Sequence, residues 1–214
     1  MVTLLVTTGA TVTFKELVRN VLQIEFIRGI IDLGFNEVFV QYGNEIKDNV
    51  HQSDIFVQQV LKELNSSDQL NFNSYSDSKA SIVGFPDTDK LQLFTSSKLD
   101  LKLYLFPFST NVNAYINRAN LVISHAGTGS IIDSLKLHKK LIVVINDQLM
   151  DNHQAEVAEE FCKQGYCSSL TTKDIKDGAS FVKAVRERLA VESKPFTTSK
   201  SNVIEAIIYE ELAA

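Results

Sequence analysis

The feature that most restricts the fold is a series of short runs that are apolar throughout instead of alternating with polar residues. They are VTLLVTT from Val2, EVFVQYG from Glu37, LKLYLFPF from Leu101, NLVISHAG from Asn120, KLIVVIN from Lys140 and the weaker GYCSSL from Gly165. A strand with one face in water alternates, whereas a run without alternation is buried on both faces. Between these runs the spacing turns helical: Phe14, Leu17, Val18, Val21, Leu22 and Phe26 recur at three and four, a helix that Gly34 ends. A weaker helical pattern covers Ile55 to Leu64, a short helix falls near Thr110 to Arg118, and further helices are expected over 128–138, 151–164, 178–191 and 202–212. Strands separated by amphipathic helices predict a single Rossmann-like, doubly wound α/β domain with a mainly parallel sheet covered on both faces. With 214 residues, 44% of them hydrophobic, the chain fills one large domain and would be cramped as two. The stretch 65–80, NSSDQLNFNSYSDSKA, is rich in Asn, Ser and Asp and reads as a flexible surface insertion, and SIVGF from Ser81 reads as a further strand.

Charge and cysteine content remove several functions. A formal net charge of −5, with no window that collects Lys and Arg into a stripe, argues against a nucleic-acid groove. Cys162 and Cys167 lack the two further ligands a structural zinc site needs and read as reduced, packed thiols. The start has no basic region and too short an apolar run for a signal peptide, and Leu141 to Ile145 is far too short to cross a bilayer, so a cytosolic protein is expected. The sequon at Asn65 would then never meet the glycosylation machinery.

Two glycine turns follow expected strands, where helix N-termini offer free N–H groups to anions. They are Thr7-Thr8-Gly9-Ala10-Thr11 and Ser124-His125-Ala126-Gly127-Thr128-Gly129-Ser130. Glycine lets backbone approach a phosphate, and Thr or Ser hydroxyls add donors, so both turns suit a diphosphate without a lysine; each also reads as a plain helix entry. The second lacks the Gly-x-Gly-x-x-Gly spacing of dinucleotide enzymes and the Gly-x-Ser-x-Gly of a hydrolase elbow. Asp133, farther along the same helix, suits ribose hydroxyls or merely complements the helix dipole. Asp151-Asn152-His153-Gln154 opens the next helix; these side chains suit the hydroxyl and acetamido groups of a sugar, or Asp151 serves only as an N-cap.

Taken together, ISHAGTGSIIDSL and KLIVVINDQLMDNHQ, with VTTGATVTFKELV, FVQYGN and the late KPF, resemble glycosyltransferase family 28, which contains the bacterial lipid II-forming N-acetylglucosaminyltransferase. The likeness is strongest to the small eukaryotic subunits of the UDP-N-acetylglucosamine transferase that acts on dolichol-diphosphate-GlcNAc, and weakest across 44–100. It implies the carboxyl-terminal, donor-binding half of a GT-B enzyme. In that pattern Thr8, Gly9 and Ala10 with His125, Ala126, Gly127, Thr128 and Gly129 hold the diphosphate. Asp133 meets the ribose, and Asn152, His153 and Gln154 meet the N-acetylglucosamine.

The same resemblance implies inverting β1,4 transfer of GlcNAc from UDP-GlcNAc, with no obligatory cofactor and no bound metal. Because a complete GT-B enzyme has two Rossmann-like domains, it also implies a membrane-anchored acceptor-binding partner that recruits this chain to the cytosolic face of the endoplasmic reticulum. The general base is then expected in the partner, with His125 as the candidate contributor from this chain. The apolar stripe Val203, Ile204, Ile207, Ile208 and Leu212 of the last expected helix suits either the domain's own core or that partner. The rival readings are a regulatory protein that senses a UDP-sugar without transferring it and, more remotely, a generic nucleotide-binding enzyme.

Overall fold

The structure, a computed structural model, describes residues 1–66, 72–75, 90–146 and 152–196, with backbone alone at 74–75 and 152–155. The expected helix at 202–212, the expected strand at 81–85 and Asp151 lie outside the described residues. Strands β1 (Thr3–Thr7), β2 (Glu37–Gln41), β5 (Phe72–Tyr75), β6 (Gln92–Ser96), β7 (Lys102–Phe106), β8 (Leu121–His125), β9 (Lys140–Ile145) and β10 (Ser168–Thr171) form one sheet in the order β10-β9-β8-β1-β2-β7-β6-β5. The first six in that order run parallel, β6 is antiparallel to β7, and β5 is antiparallel to β6. The mainly parallel α/β domain is therefore present.

The unbroken apolar runs have their cause in two cores. On one face, Leu4, Val6, Val38, Val40, Leu103, Leu105, Leu121, Ile123, Ile142 and Val144 pack under helices α1 (Lys15–Val21), α2 (Ile24–Asp32), α3 (Gln52–Ser66) and α8 (Gly178–Ala190). On the other, Leu5, Phe39, Tyr104, Phe106, Val122, Leu141 and Val143 meet α4 (Val112–Arg118), α5 (Thr128–Lys136) and α6 (Asn152–Lys163). Successive strand residues point to opposite faces, so both must be apolar. Both cysteines are free, as their reading as packed thiols requires: Cys167 is buried in the second core and Cys162 is half-buried beside it.

Three expectations need correction. The helix from Phe14 to Gly34 is two helices, because Gln23 is extended (ψ 146°) and its amide turns back to Asn20 Oδ1 at 2.6 Å. Both pieces pack into the same core, which is why the apolar spacing runs across the break. Second, the Asn/Ser-rich stretch is not all surface insertion: Asn65 and Ser66 form the end of α3, Asn65 bonds both backbone groups of Phe72, at 3.0 and 3.1 Å, and 72–75 is strand β5, at the edge of the described sheet. The rest of that stretch lies outside the described residues. Third, the weakly patterned region after β2 opens with a hairpin of β3 (Ile46–Lys47) and β4 (Val50–His51), a separate two-stranded sheet. Asp48 and Asn49 at its tip have φ of 51° and 61°, the left-handed pair of a type I′ turn that Asp and Asn tolerate.

At the amino ends of the strands the buried Glu37 carboxylate receives Arg118 through two hydrogen bonds, 2.6 and 2.7 Å, and the Thr3 hydroxyl at 2.9 Å. Among the described residues no helix is long and apolar enough to cross a membrane.

Candidate functional site

Strand β1 lies between β2 and β8, so consecutive connections leave it toward opposite sides and a crevice opens at its carboxyl end, the usual ligand position in such sheets. A cleft of about 230 Å³ occupies that position, lined by residues 8–14, His125, Ala126 and Asn146. The parallel register sets Thr7 beside Ser124, and their hydroxyls bond at 3.1 Å, so the two turns that follow start level with each other.

The β1–α1 turn is held from below and from the side. The Thr8 hydroxyl donates to the Gln41 carbonyl at 3.1 Å, and Asn44 N–H donates to the Ala10 carbonyl at 3.2 Å. Gly43, at φ +91°, lets the chain pass where a Cβ would meet the Val12 carbonyl oxygen at 3.1 Å. Thr13 Oγ1 lies 2.6 Å from the buried Ser53 hydroxyl, which also receives the Glu45 N–H at 2.7 Å.

His125 ends β8 and its ring is clasped between the two turns. A Cβ on Gly9 would sit 3.0 Å from His125 Nε2, and one on Gly127 would sit 2.3 Å from it. Gly9 also has φ +90°, so two demands fix glycine there. Among the described residues, His125 Nδ1 is shut off from solvent without a hydrogen-bond partner, and the same holds for the Thr128 hydroxyl. Burial lowers the His125 pKa, opposed by the Thr7 backbone. The ring is therefore neutral at pH 7.

A depressed histidine pKa means that the unfolded chain takes up the proton first. Stability should be constant above about pH 6.5 and fall as the pH drops below it, by no more than about 1.4 kcal/mol per pH unit for one group. Denaturant unfolding of wild type and of His125→Gln between pH 7 and 5 checks this; equal slopes would show that His125 does not carry the effect.

Gly127 is the N-cap of α5 and supplies no capping side chain, so the first N–H groups of the helix open beside Ala126 without a side-chain partner from the cap. Gly129 differs from Gly9 and Gly127: a Cβ there meets nothing within 4 Å. Among the described residues no contact requires glycine at 129.

Of the residues singled out from sequence, Thr8, Gly9, Ala10, His125 and Ala126 meet in one cleft, and Gly127, Thr128 and Gly129 continue from it into α5. Asp133 is half-buried, farther along α5, and does not line the cleft. Asn152, His153 and Gln154 form the first turn of α6, and their side chains lie outside the description. Sequence reasoning missed Thr13, Phe14 and Asn146 in the lining, and Gly43 and Ser53 behind it. A positive-φ glycine directly after a strand, in FVQYGN, was the signal available for Gly43.

The model of the glycosyltransferase family 28 C-terminal domain matches residues 80–210, more than half of the chain. The chain belongs to glycosyltransferase family 28. Its first 79 residues, including the Gly9 turn, are covered by relatives of greater reach. UDP-N-acetylglucosamine transferase subunit ALG13 of Debaryomyces hansenii is 40% identical over 99% of both chains. The subunit of the same name from Candida albicans is 36% identical over 99% of this chain and 74% of its own length. An NMR solution structure of ALG13 superposes with a TM-score of 0.67 at 32% identity, covering 100% of this chain and 98% of that one. This family 28 chain is thus a glycosyltransferase, similar along its whole length to the ALG13 subunits of yeasts.

Proposed function

We propose that the chain binds UDP-N-acetylglucosamine and, with a membrane-anchored acceptor-binding subunit, adds the second GlcNAc to dolichol-diphosphate-GlcNAc at the cytosolic face of the endoplasmic reticulum. The observation that carries this reading is the cleft between the Gly9 and Gly127 turns, with the start of α5 beside it, in a chain whose relatives are UDP-N-acetylglucosamine transferase subunits. Helix-start N–H groups and Thr hydroxyls are donors suited to a diphosphate. Two of the three buried polar side-chain atoms without partners among the described residues, on His125 and Thr128, cost about 1–3 kcal/mol each if left so, and a ligand at the turn offers them a use.

Transfer with inversion takes place in one displacement. The acceptor 4-hydroxyl oxygen attacks the anomeric carbon, the bond from that carbon to the diphosphate oxygen breaks with its electron pair going to UDP, and the hydroxyl proton passes to a base. Donors preorganised around the departing UDP oxygen stabilise charge that is largest in the transition state. His125 is neutral and clasped by two glycine turns, so this reading gives it a positioning role and places the base in the partner. No cofactor is obligatory in it. Asp133 and the Asn152–Gln154 turn keep their proposed roles toward ribose and sugar.

The volume of the cleft fits a half-site. At about 230 Å³ it falls below the roughly 300–1,000 Å³ of pockets that enclose whole small molecules. Co-expression with the acceptor-binding subunit, followed by transfer of labelled GlcNAc from UDP-GlcNAc to a short-chain dolichol-diphosphate-GlcNAc mimic, tests the proposal. Product is expected from the pair and from neither protein alone; donor binding without product from the pair would indicate a UDP-sugar sensor. Asp133→Ala and His153→Ala should each lower transfer about 10- to 100-fold, the loss of one to two hydrogen bonds to substrate. Wild-type rates in both variants would refute those assignments.

A further inference from the structure

A cluster of reactive groups that the cleft does not use lies where α6 gives way to β10. Helix α6 ends at Lys163, and Gly165, at φ +82°, turns the chain back over it. The Gly165 N–H donates to the Cys162 carbonyl at 2.9 Å and the Tyr166 N–H to the Phe161 carbonyl at 3.1 Å, the two bonds of a left-handed helix cap. That turn brings the Cys167 thiol into hydrogen-bonding contact with the thiol of Cys162, which Ser169 of β10 also contacts. Cys167 is buried, Cys162 is half-buried, and the chain has no third cysteine. Arg188 of α8, 3% exposed, donates to the Tyr166 carbonyl at 3.0 Å and to the Ser193 hydroxyl at 2.8 Å, which holds its guanidinium beside the pair. Among the described residues it makes no salt bridge, and its Nε has no hydrogen-bond partner.

A buried cation without an anion is costly, and a thiolate beside it supplies one. The hydrogen bond from Cys167, with Ser169 and Arg188, holds the Cys162 thiol below its ordinary pKa, against burial and the Glu159 carboxylate, which lies 3.6 Å from Lys163. The same hydrogen bond and burial push Cys167 up, so it keeps its proton. We propose that Cys162 and Cys167 form a reversible oxidation site for a peroxide, in which the accessible Cys162 attacks and the buried Cys167 resolves. The Cys162 thiolate attacks one oxygen of hydrogen peroxide, the O–O bond breaks with its electron pair going to the departing hydroxide, and Cys162 becomes a sulfenic acid. The Cys167 sulfur then attacks the Cys162 sulfur, the S–O bond breaks, and hydroxide leaves as water with the Cys167 proton. The two sulfurs lose two electrons, the peroxide gains them, and an internal disulfide remains that a dithiol can reduce again. None of these residues lines the cleft, so the site stands apart from donor binding.

The test treats the full chain, reduced and then freed of reductant, with hydrogen peroxide, and reads intact mass together with alkylation of the remaining thiols. Wild type should lose two hydrogens and both alkylation sites while staying a single chain, and dithiothreitol should restore both sites. Cys167→Ser should stop at the sulfenic acid, gaining one oxygen and capturing dimedone. Cys162→Ser should react at least tenfold more slowly than wild type, because its remaining thiol is buried and protonated. Should serine disturb the core at 167, Cys167→Ala gives the same readout. The pair is overturned if Cys162→Ser reacts as fast as wild type, or if wild type keeps both thiols under an exposure that oxidises free glutathione. Accumulation of sulfenic acid in wild type, or a disulfide between two chains in place of the internal one, overturns it equally.

Discussion

Gly127→Ala should reduce GlcNAc transfer by about two orders of magnitude, the effect expected when reacting groups are misplaced by about 1 Å. The added Cβ would lie 2.3 Å from His125 Nε2 and 2.8 Å from Cε1, separations that no real side chain tolerates. The ring also lies close to the Gly9 turn, where an added Cβ would stand 3.0 Å from the same nitrogen. Either the ring moves against the first turn or the start of α5 moves away from the diphosphate position, and both outcomes spoil the same cleft. Overpacking of this kind also lowers stability, by about 1–3 kcal/mol. Gly129→Ala is the companion experiment. Its Cβ meets nothing, so it should fold as wild type, and any weakening of UDP-GlcNAc binding there, read by calorimetry, reports space that the ligand needs. Wild-type transfer by Gly127→Ala would show that the clasped histidine is irrelevant to the donor.

The largest effect on stability alone is expected at the other end of the sheet. Arg118→Ala should cost about 3 kcal/mol, the lower end of the range for breaking a buried pair, because the Arg118 side chain is 36% exposed and water can follow it in. The damage comes from Glu37, 1% exposed, which would keep only the Thr3 hydroxyl as a hydrogen-bond partner among the described residues. Part of the loss is packing, since the guanidinium lies 5.8 Å from the centre of the Phe39 ring, which stacks on Tyr104 at 4.4 Å. Arg118→Lys restores the charge without the fork and should recover only part. In a chain of this size 3 kcal/mol lowers the melting midpoint by roughly 6–12 °C. Denaturant titration decides it: an unchanged midpoint would mean the pair contributes nothing. Transfer per folded molecule should not change, because Glu37 begins its strand and the cleft lies beyond the strand's end.

How much could be read in the residues depended on where each element sits. Central parallel strands must be apolar on both faces, so β1, β2, β7, β8 and β9 declare themselves, and with them the carboxyl-end turns that carry Gly9 and Gly127. Edge strands answer to a weaker rule. β5 reads FNSY and, among the described residues, pairs on one side only, with β6, so polar residues are acceptable and the stretch resembles loop. The hairpin at 46–51 rests on the αL tolerance of Asp48 and Asn49, a signal far less distinctive than Asn-Gly. The break at Gln23 left no trace in the periodicity because α1 and α2 serve one core. Within the site, residue types identified the turns, whereas the clasp on His125 and the shared Ser53 hydroxyl depend on chain segments 116 and 40 residues apart in sequence. Their spacing along the chain carries no sign of that proximity.

The central position of β1 also bears on how the protein comes to be made. One edge of this strand pairs with β2, about 34 residues later, but the other waits for β8: Asn120, just before that strand, and Ser124 within it bond Thr3 and Thr7 across 117 residues. A ribosome must therefore deliver more than half of the chain before the first strand is enclosed, and contacts so distant in sequence form slowly. Until then Leu4, Leu5 and Val6 belong to an open sheet edge of the kind that chaperones bind and that neighbouring nascent chains can extend.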